Sequence, residues 1–288
     1  TAALGWIAAQ SLNTLGNVLL DQGETAAAQA AHQQALAQAA EIGQQRLEAS
    51  ARNNLGNDFW HAGEFAQAQA QFRQALTICQ AAGIRQIESL AHLNIGLVDS
   101  ELGNHDAAVS HIERALAISR EVGDRRGEGN ALLNLLVVFM ELNRVGEVAD
   151  LLPDALAVCR AVGDQQGEAM ALDLSAHIHL LTGAFAQAEA VLAETWQLCE
   201  RIGDGWGLME TRLSQARLQG HLGDFAASVR LAEDALAQAR ELADQASEAK
   251  ALCVLGNGRL AQESYEEASA AYEQAIAIWQ ELEQGHLT

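Results

Sequence analysis

Small and large apolar residues recur along the chain with a period of 40 residues. The pair Leu15-Gly16 returns as Leu55-Gly56, Ile95-Gly96 and Leu255-Gly256. The same spacing, without an insertion or deletion, aligns two sets of glycines: Gly23, Gly63, Gly103, Gly183 and Gly223, and Gly43, Gly83, Gly123, Gly163 and Gly203. This regularity predicts seven structural repeats that together fill the chain.

Each repeat reads as two helices, because the glycines stand where a helix end needs a left-handed residue. The residues that follow several glycines can cap the next helix: Asn104, Asp124, Asp164, Asp204 and Asp224. We predict first helices near 5–21, 45–61, 85–101, 125–141, 165–181, 205–221 and 245–261. Second helices are predicted near 24–41, 64–81, 104–121, 144–161, 184–201, 224–241 and 264–281. Pro153 predicts that the second helix of the fourth repeat kinks or starts late.

Small residues stand where the two helices of a repeat must approach closely, as at Gly16, Gly56 and Ala35. A neighbouring column is large and apolar: Leu36, Leu76, Leu116, Leu156, Trp196, Leu236 and Ile276. This pattern resembles the tetratricopeptide repeat, and LGNHDAAVSHIERALAISREVGDRRGEGNALLNL (102–135) resembles its 40-residue variety. That variety occurs in the Leu-Gly-Asn adaptors of cell polarity and in sensor arms of bacterial STAND ATPases and transcriptional activators.

The resemblance implies an all-α fold, a tetratricopeptide solenoid in which seven helix-turn-helix repeats form a right-handed superhelix. First helices would line a concave groove, and second helices would cover the convex side. We expect residues 1–288 to form one such domain, with repeats at about 5–43, 44–83, 84–123, 124–163, 164–203, 204–243 and 244–282.

Asparagines concentrate on the predicted groove. The chain has 11 asparagines, and nine of them fall at groove-facing positions of the first helices. An amide in such a groove offers a donor and an acceptor to an extended peptide backbone. The alternative is that the amides bond to one another across adjacent first helices and order the stack. The predicted ligand-binding residues are Asn13, Asn17, Asn53, Asn54, Asn57, Trp60, Leu90, Leu93, Asn94, Leu97, Asn130, Leu133, Asn134 and Val137.

The middle of the same groove is apolar. Its residues are Leu90, Leu93, Leu97, Leu133, Val137, Met140, Met170, Leu174, Leu180 and Leu181. We expect several of these side chains to be exposed, and a contiguous exposed apolar patch usually marks a binding site. Charged groove positions are few. Asp21, Glu101, Glu141, Asp173 and Glu210 oppose Arg217 and Lys250. A clamp of lysines and arginines for a C-terminal carboxylate is not predicted.

Composition limits the kinds of partner that we expect the protein to bind. A formal charge of −21 argues against nucleic acid as the direct ligand, since binding phosphates needs clustered Lys and Arg. The sequence contains no long apolar run that would span a membrane and no basic-then-apolar N-terminus typical of a signal peptide. We therefore expect a cytoplasmic protein. Because the chain begins at Thr1, we expect it to be part of a longer protein.

No residue pattern indicates catalysis, a metal site or a cofactor. Cys79, Cys159 and Cys199 share one column of the second helices, which predicts buried free thiols rather than a disulfide or zinc site. His177 and His179 are two residues apart on a helix and cannot chelate one metal together. We predict that the protein is not an enzyme.

Two functions remain open. The first is a protein- or peptide-binding module, the sensor or scaffold arm of a larger bacterial signalling protein. The second is a structural repeat domain that self-associates end to end, because apolar residues such as Ile276 and Trp279 would be exposed at an uncapped end.

Overall fold

The computed structural model describes residues 2–285, and this part of the chain consists of 14 helices with no strand. The helices are α1 (Ala2–Asp21), α2 (Thr25–Glu41), α3 (Gln45–His61), α4 (Phe65–Ala82), α5 (Arg85–Glu101), α6 (His105–Val122), α7 (Arg125–Glu141), α8 (Val145–Val162), α9 (Gln165–Leu181), α10 (Phe185–Ile202), α11 (Gly205–Leu222), α12 (Phe225–Glu241), α13 (Gln245–Ala261) and α14 (Tyr265–Gly285). The predicted all-α fold of helix-turn-helix repeats is confirmed.

The chain divides into two compact units, Thr1–Leu151 and Leu152–Thr288, here called unit 1 and unit 2. The boundary falls within α8. That helix runs without interruption from Val145 to Val162 and includes Pro153. It begins at the same repeat position as α4 and α10, so it does not start late, and the alternative of a kink at Pro153 stays a prediction.

Turn chemistry fixes the helix ends. Ten helices are followed by a glycine with positive φ, from 67° at Gly43 to 83° at Gly223, a conformation that costs glycine little. Asn143, Ala243 and Glu263 occupy the same left-handed position without being glycine.

Aspartate caps begin several helices. The Oδ1 atoms of Asp124 and Asp164 accept from the backbone nitrogens of Gly127 and Gly167 at 3.0 Å. Asp204 and Asp224 cap in the same way, as predicted. Asn104 makes no such side-chain bond, so its predicted cap is wrong.

Close helix contact explains the small-residue column of the first helices. A Cβ on Gly56 would lie 2.5 Å from the Phe72 ring, and one on Gly96 would lie 2.6 Å from Ile112 Cγ1. Glycine thus lets a large side chain of the second helix lie against the backbone of the first.

Two further predictions concern the cysteine thiols and membrane-spanning helices. Cys79, Cys159 and Cys199 are buried and free, as predicted. Burial raises the pKa of the Cys79 and Cys159 thiols to about 11, which keeps them protonated and unreactive. Among the described residues, none of the helices combines the length and the apolar character needed to cross a bilayer.

Candidate functional site

Asparagines of adjacent first helices in unit 1 are joined by hydrogen bonds. Nδ2 of Asn54 on α3 donates to Oδ1 of Asn13 at 3.1 Å and to Oδ1 of Asn17 at 2.9 Å, both on α1. The two acceptors are one helical turn apart, so a single amide bridges both.

The same contact recurs one repeat later. Nδ2 of Asn94 on α5 donates to Oδ1 of Asn53 and to Oδ1 of Asn57, both at 3.1 Å. We call these six residues the asparagine ladder: Asn13, Asn17, Asn53, Asn54, Asn57 and Asn94. We call the surface formed by α1, α3, α5 and α7 the first-helix face, and the ladder lies on the part formed by α1, α3 and α5. Of the two roles considered for the amides, bonding across adjacent first helices is present.

The ladder is partly accessible. Asn53 and Asn94 are buried at 1% and 8% exposure, so adjacent helices keep them from a ligand in this conformation. Asn17 is exposed, and Asn54 and Asn57 are half-buried. Within the described part of the chain, Nδ2 of Asn17, Nδ2 of Asn57 and Oδ1 of Asn54 make no hydrogen bond. These atoms leave the ladder able to bind a further partner.

The ladder stops at α7. The two acceptor positions that would serve Asn134 are held by Leu93 and Leu97 instead of asparagine. Asn134 therefore turns to its own helix, where its Nδ2 donates to the backbone oxygen of Asn130 at 2.8 Å.

The apolar members of the predicted site differ in exposure. Leu90 is 42% exposed, whereas Leu93 and Leu133 are buried at 7% and 6%. Leu97 and Val137 are half-buried, like Trp60. The expected contiguous exposed apolar patch is wrong for these leucines and valine, because Leu90 alone among them is exposed.

A pocket of about 350 Å³ opens in unit 1 where the ladder stops. Its lining includes Arg46, Gln86, Leu90, Leu93, Arg126 and Asn130. Nη2 of Arg46 donates to Oε1 of Gln86 at 3.0 Å. Arg126 is exposed. Leu90, Leu93 and Asn130 were predicted for the site, but Arg46, Gln86 and Arg126 were missed.

The missed residues carried a sequence signal. Arg46, Gln86 and Arg126 lie 40 residues apart, in one column of the repeat. They stand in the first turn of their helices, one turn before the groove positions, and were therefore left out.

A buried histidine–aspartate pair lies beneath the ladder. Nδ1 of His32 is 2.6 Å from Oδ2 of Asp58, and both side chains are fully buried. Nε2 of His32 lies 3.2 Å from the backbone oxygen of Asn13 and 3.1 Å from Oδ1 of Asn17. A carbonyl oxygen only accepts, so Nε2 donates to these two oxygens. His32 thus anchors Asn17 from below.

Sequence reasoning missed this pair as well. The column of His32 otherwise holds Phe72 and Ile112 in unit 1, and the column of Asp58 holds Val18 and Val98. Two polar residues in apolar columns were the available signal.

Unit 2 repeats the ladder contact with other chemistry. Oγ of Ser214 donates to Oδ1 of Asp173 at 3.0 Å, across the same interval of 41 residues. Nearby, Oε1 of Glu210 accepts from Oγ of Ser247 at 2.9 Å and from Nζ of Lys250 at 3.2 Å. Burial, and then the charge of Glu210, raise the pKa of Asp173 to about 6.

Two sequence profiles match parts of the chain. The profile described as tetratricopeptide repeat matches residues 7–81 and 87–161, which are 150 of the 288 residues. The profile described as anaphase-promoting complex subunit 5 matches residues 179–257. No curated protein sequence matches the chain.

Solved structures are similar along most of the chain. Aspartyl phosphate phosphatase F from Bacillus subtilis has a TM-score of 0.77 at 14% identity, covering 97% of this chain and 72% of that one. The Rap conjugation gene regulator of plasmid pLS20, in complex with a Phr peptide, has a TM-score of 0.60 at 12% identity, with coverages of 85% and 77%. A signal transduction ATPase with numerous domains (STAND) with a tetratricopeptide repeat sensor, from Pyrococcus horikoshii, has a TM-score of 0.68 at 14% identity. The match covers 97% of this chain and 47% of that one.

At such low identities these structures show the fold alone, and the family rests on the profile match. That match covers more than half of the residues and agrees with the helix pairs and the glycine contacts between them. The chain belongs to the tetratricopeptide repeat family.

Proposed function

We propose that the first-helix face of unit 1 binds an extended segment of a partner protein or peptide. The observation that carries this proposal is the set of unused amide atoms on the accessible edge of the ladder, at Asn17, Asn54 and Asn57. Two donors and one acceptor along one face match the alternating carbonyl and N–H groups of an extended backbone. The plasmid regulator solved with a Phr peptide supports this use of the fold.

The wider role of the module is a sensor or scaffold arm of a larger bacterial signalling protein. The similarity to a STAND protein with a tetratricopeptide repeat sensor supports this role, and this chain spans 47% of that protein's length. Binding without catalysis is the activity that such an arm needs.

Binding is tested by selecting a displayed library of random peptides against the whole chain. The informative variant is Asn57→Asp, because its oxygen still accepts from Asn94 while the free Nδ2 donor is lost. We expect about tenfold weaker binding of the selected peptides, equivalent to about one hydrogen bond, with little change in melting temperature. The control Gln34→Glu makes the same charge change on α2 and should bind like wild type.

Selected peptides that bind Asn57→Asp as tightly as wild type would end the proposal that the ladder edge grips a ligand. The same result follows if the library yields no specific binder.

A second function, end-to-end self-association, is favoured by exposed apolar residues at each end of the described chain. On α1, Leu15 and Val18 are 49% and 46% exposed, whereas the equivalent Leu55 is 4% exposed. On α14, Ile276 is 54% exposed, whereas the equivalent Leu236 is 8% exposed. Inner repeats therefore cover these columns more than the end repeats do.

Light scattering over a range of concentrations tests self-association. If copies stack, the mean mass should grow with concentration, and Ile276→Glu should abolish this growth. A monomer at all concentrations would leave peptide binding as the function.

A further inference from the structure

A pocket of about 240 Å³ in unit 2 lies between α11, α12 and α13. We propose that it receives an aromatic side chain of a partner protein or peptide that carries a polar hydrogen, the phenol O–H of tyrosine or the indole N–H of tryptophan. The ring would fill a space that this protein's own side chains fill in other repeats, and the polar hydrogen would reach the hydroxyl of Ser228. The site is separate from the first-helix face of unit 1 and goes beyond the function proposed for that face.

Two glycines open the pocket. Leu180 on α9, Ala188 on α10 and Leu218 on α11 lie in one apolar cluster. One repeat later, the equivalents of the two leucines are Gly220 and Gly258. All other repeats have a larger side chain at both positions. They are Leu20, Trp60, Ser100, Met140, Leu180 and Leu260 in the column of Gly220, and Val18, Asp58, Val98, Val138, Ile178 and Leu218 in the column of Gly258.

The space beside Gly220 is open, whereas the space beside Gly258 is partly filled. A Cβ on Gly220 would meet no atom of another helix nearer than Oγ of Ser228, at 3.4 Å, within the described chain. A Cβ on Gly258 would lie 2.8 Å from Cγ2 of Val229 and 3.7 Å from Oγ of Ser228. The missing side chain at Gly220 therefore leaves room, and the Ser228 hydroxyl lies next to both glycines.

Ser228 on α12 is a buried serine whose hydroxyl has no partner. The residue is 3% exposed and lines the pocket. Within the described residues its Oγ makes no hydrogen bond, although its backbone nitrogen donates to Asp224. A buried hydroxyl without a hydrogen bond is costly. Other repeats avoid this cost with an apolar residue in the same column: Ala28, Ala68, Ala108, Val148, Ala188 and Ala268. A ligand atom that bonds to Oγ would explain the serine.

The rest of the lining suits an aromatic ring. Phe225 and Val254 supply apolar surface. His221 also lines the pocket, and its ring stacks on Phe185 with the centroids 5.4 Å apart. The guanidinium of Arg217, a further lining residue, can lie over the face of a bound ring.

The volume and the single polar group select the kind of side chain. A cavity of about 150 Å³ holds a benzene ring in a protein, so a pocket of about 240 Å³ has room for a phenol or an indole. The polar group of tyrosine or tryptophan usually has a hydrogen-bond partner when it is buried, and a serine hydroxyl can accept from either. Phenylalanine or leucine would fill the same space but leave Oγ of Ser228 without a bond.

The test selects a displayed library of random peptides on the whole chain and removes those that also bind Gly220→Leu. The new leucine copies Leu180 and should fill the pocket. The melting temperature should rise, because leucine is a better helix former than glycine, so lost binding would not reflect unfolding. Gly146→Leu is the matched control, since Gly146 is exposed on α8 and an added Cβ meets no atom of another element within 4 Å.

We expect the remaining peptides to share a tyrosine or a tryptophan. They should bind wild type and Gly146→Leu with equal affinity and Gly220→Leu at least tenfold more weakly. Peptides that bind Gly220→Leu as tightly as wild type would overturn the inference. A set of peptides without either aromatic residue would also overturn it.

Ser228→Ala tests the hydrogen bond. Alanine occupies this column in α2, α4, α6, α10 and α14, so the variant should fold like wild type. Each peptide is compared with an analogue that lacks the polar hydrogen, phenylalanine for tyrosine or naphthylalanine for tryptophan. Wild type should prefer the original peptide about tenfold, equivalent to about one hydrogen bond, and Ser228→Ala should bind both peptides equally. The same preference in both proteins would overturn the role of Ser228.

The proposed function fails or stands separately. Peptides that lose affinity for Asn57→Asp but not for Gly220→Leu would overturn this inference and leave the proposed function standing. Peptides that lose affinity for Gly220→Leu alone would support the pocket and contradict binding at the ladder edge. Failure to select any peptide would overturn both.

Discussion

Unit 1 and unit 2 use the same repeat contact with different chemistry. In unit 1 a buried amide bridges Asn53 and Asn57, whereas in unit 2 a hydroxyl donates to the carboxylate of Asp173. The amide contact carries no titratable group, but the carboxylate has a pKa of about 6. One backbone geometry therefore supports the neutral contact of Asn94 in unit 1 and the ionisable contact of Ser214 in unit 2.

A second difference between the units concerns the contact between a second helix and the first helix of the next repeat. His32 and Asp58 form a buried pair in unit 1. The equivalent positions in unit 2 are Leu192 and Leu218, which lie in one apolar cluster. The fold accepts both solutions, so the polar pair is not needed to form a repeat.

Breaking the buried pair should have the largest effect. His32→Leu leaves the Asp58 carboxylate buried without its partner, and we expect a loss of about 3–5 kcal/mol in the free energy of unfolding. His32→Leu/Asp58→Leu copies the pair found in unit 2 and should be as stable as wild type or more stable. Urea unfolding monitored by circular dichroism measures both. A double variant as unstable as the single one would show that the polar pair stabilises unit 1 more than two packed leucines would.

Acid should act on the two units with opposite sign. Burial, and then His111, lower the pKa of His92 from 6.5 to about 4. Between these values the unfolded chain binds a proton that folded unit 1 does not, so unit 1 loses stability as pH falls through this range. The pKa of Asp173 is raised from 3.8 to about 6, so unit 2 gains stability as pH falls from about 6 towards 3.8.

Melting temperatures of His92→Gln and Asp173→Asn, each compared with wild type across this range, test the signs. The melting temperature of His92→Gln relative to that of wild type should rise as pH falls. The melting temperature of Asp173→Asn relative to that of wild type should be highest above about pH 6 and should fall as the solution becomes more acidic. Parallel slopes for the two variants would contradict the comparison.

Removing the bridging donor in each unit should have an intermediate effect. Asn94→Ala leaves the buried Oδ1 of Asn53 without a donor, and we expect a loss of about 1–3 kcal/mol that does not depend on pH. Ser214→Ala should cost a similar amount above about pH 6, where Asp173 is ionised, and less below it. Denaturant unfolding on either side of this pH measures the difference. An equal loss from Ser214→Ala at both pH values would mean that its bond is not to an ionised group.

The smallest effect concerns the turns. Ala243 in unit 2 has φ of 53° and Asn143 in unit 1 has φ of 55°. Alanine is strained there, while asparagine tolerates this region. We expect Ala243→Gly to add about 1 kcal/mol and Asn143→Gly to add much less. The urea midpoints of the two variants are the measurement, and equal gains would contradict the expected difference.

The sequence predicted the helices closely because glycine turns and the exact period mark both ends of each repeat. The bounds of α3, α5, α7 and α13 agree with the predicted ranges. Pro153 lies inside α8 and does not delay the start of this helix at Val145.

The candidate site was predicted less well. Repeat position says which side of a helix a residue occupies, but not how far the next helix covers it. Asn53, Leu93, Asn94 and Leu133 proved to be buried for this reason. Arg46 and Arg126 were missed because their long side chains reach a pocket one turn away from their own positions.

The hydrogen bonds between asparagines of the ladder all run one way. In the ladder the donor belongs to the later repeat and the acceptor to the earlier one, from Asn54 to Asn13 and from Asn94 to Asn53. The bond from Ser214 to Asp173 in unit 2 has the same direction. Such a row has a head and a tail, as the edge of a β-strand does. A partner that follows the row in unit 1 would be distinguished from the same sequence written backwards.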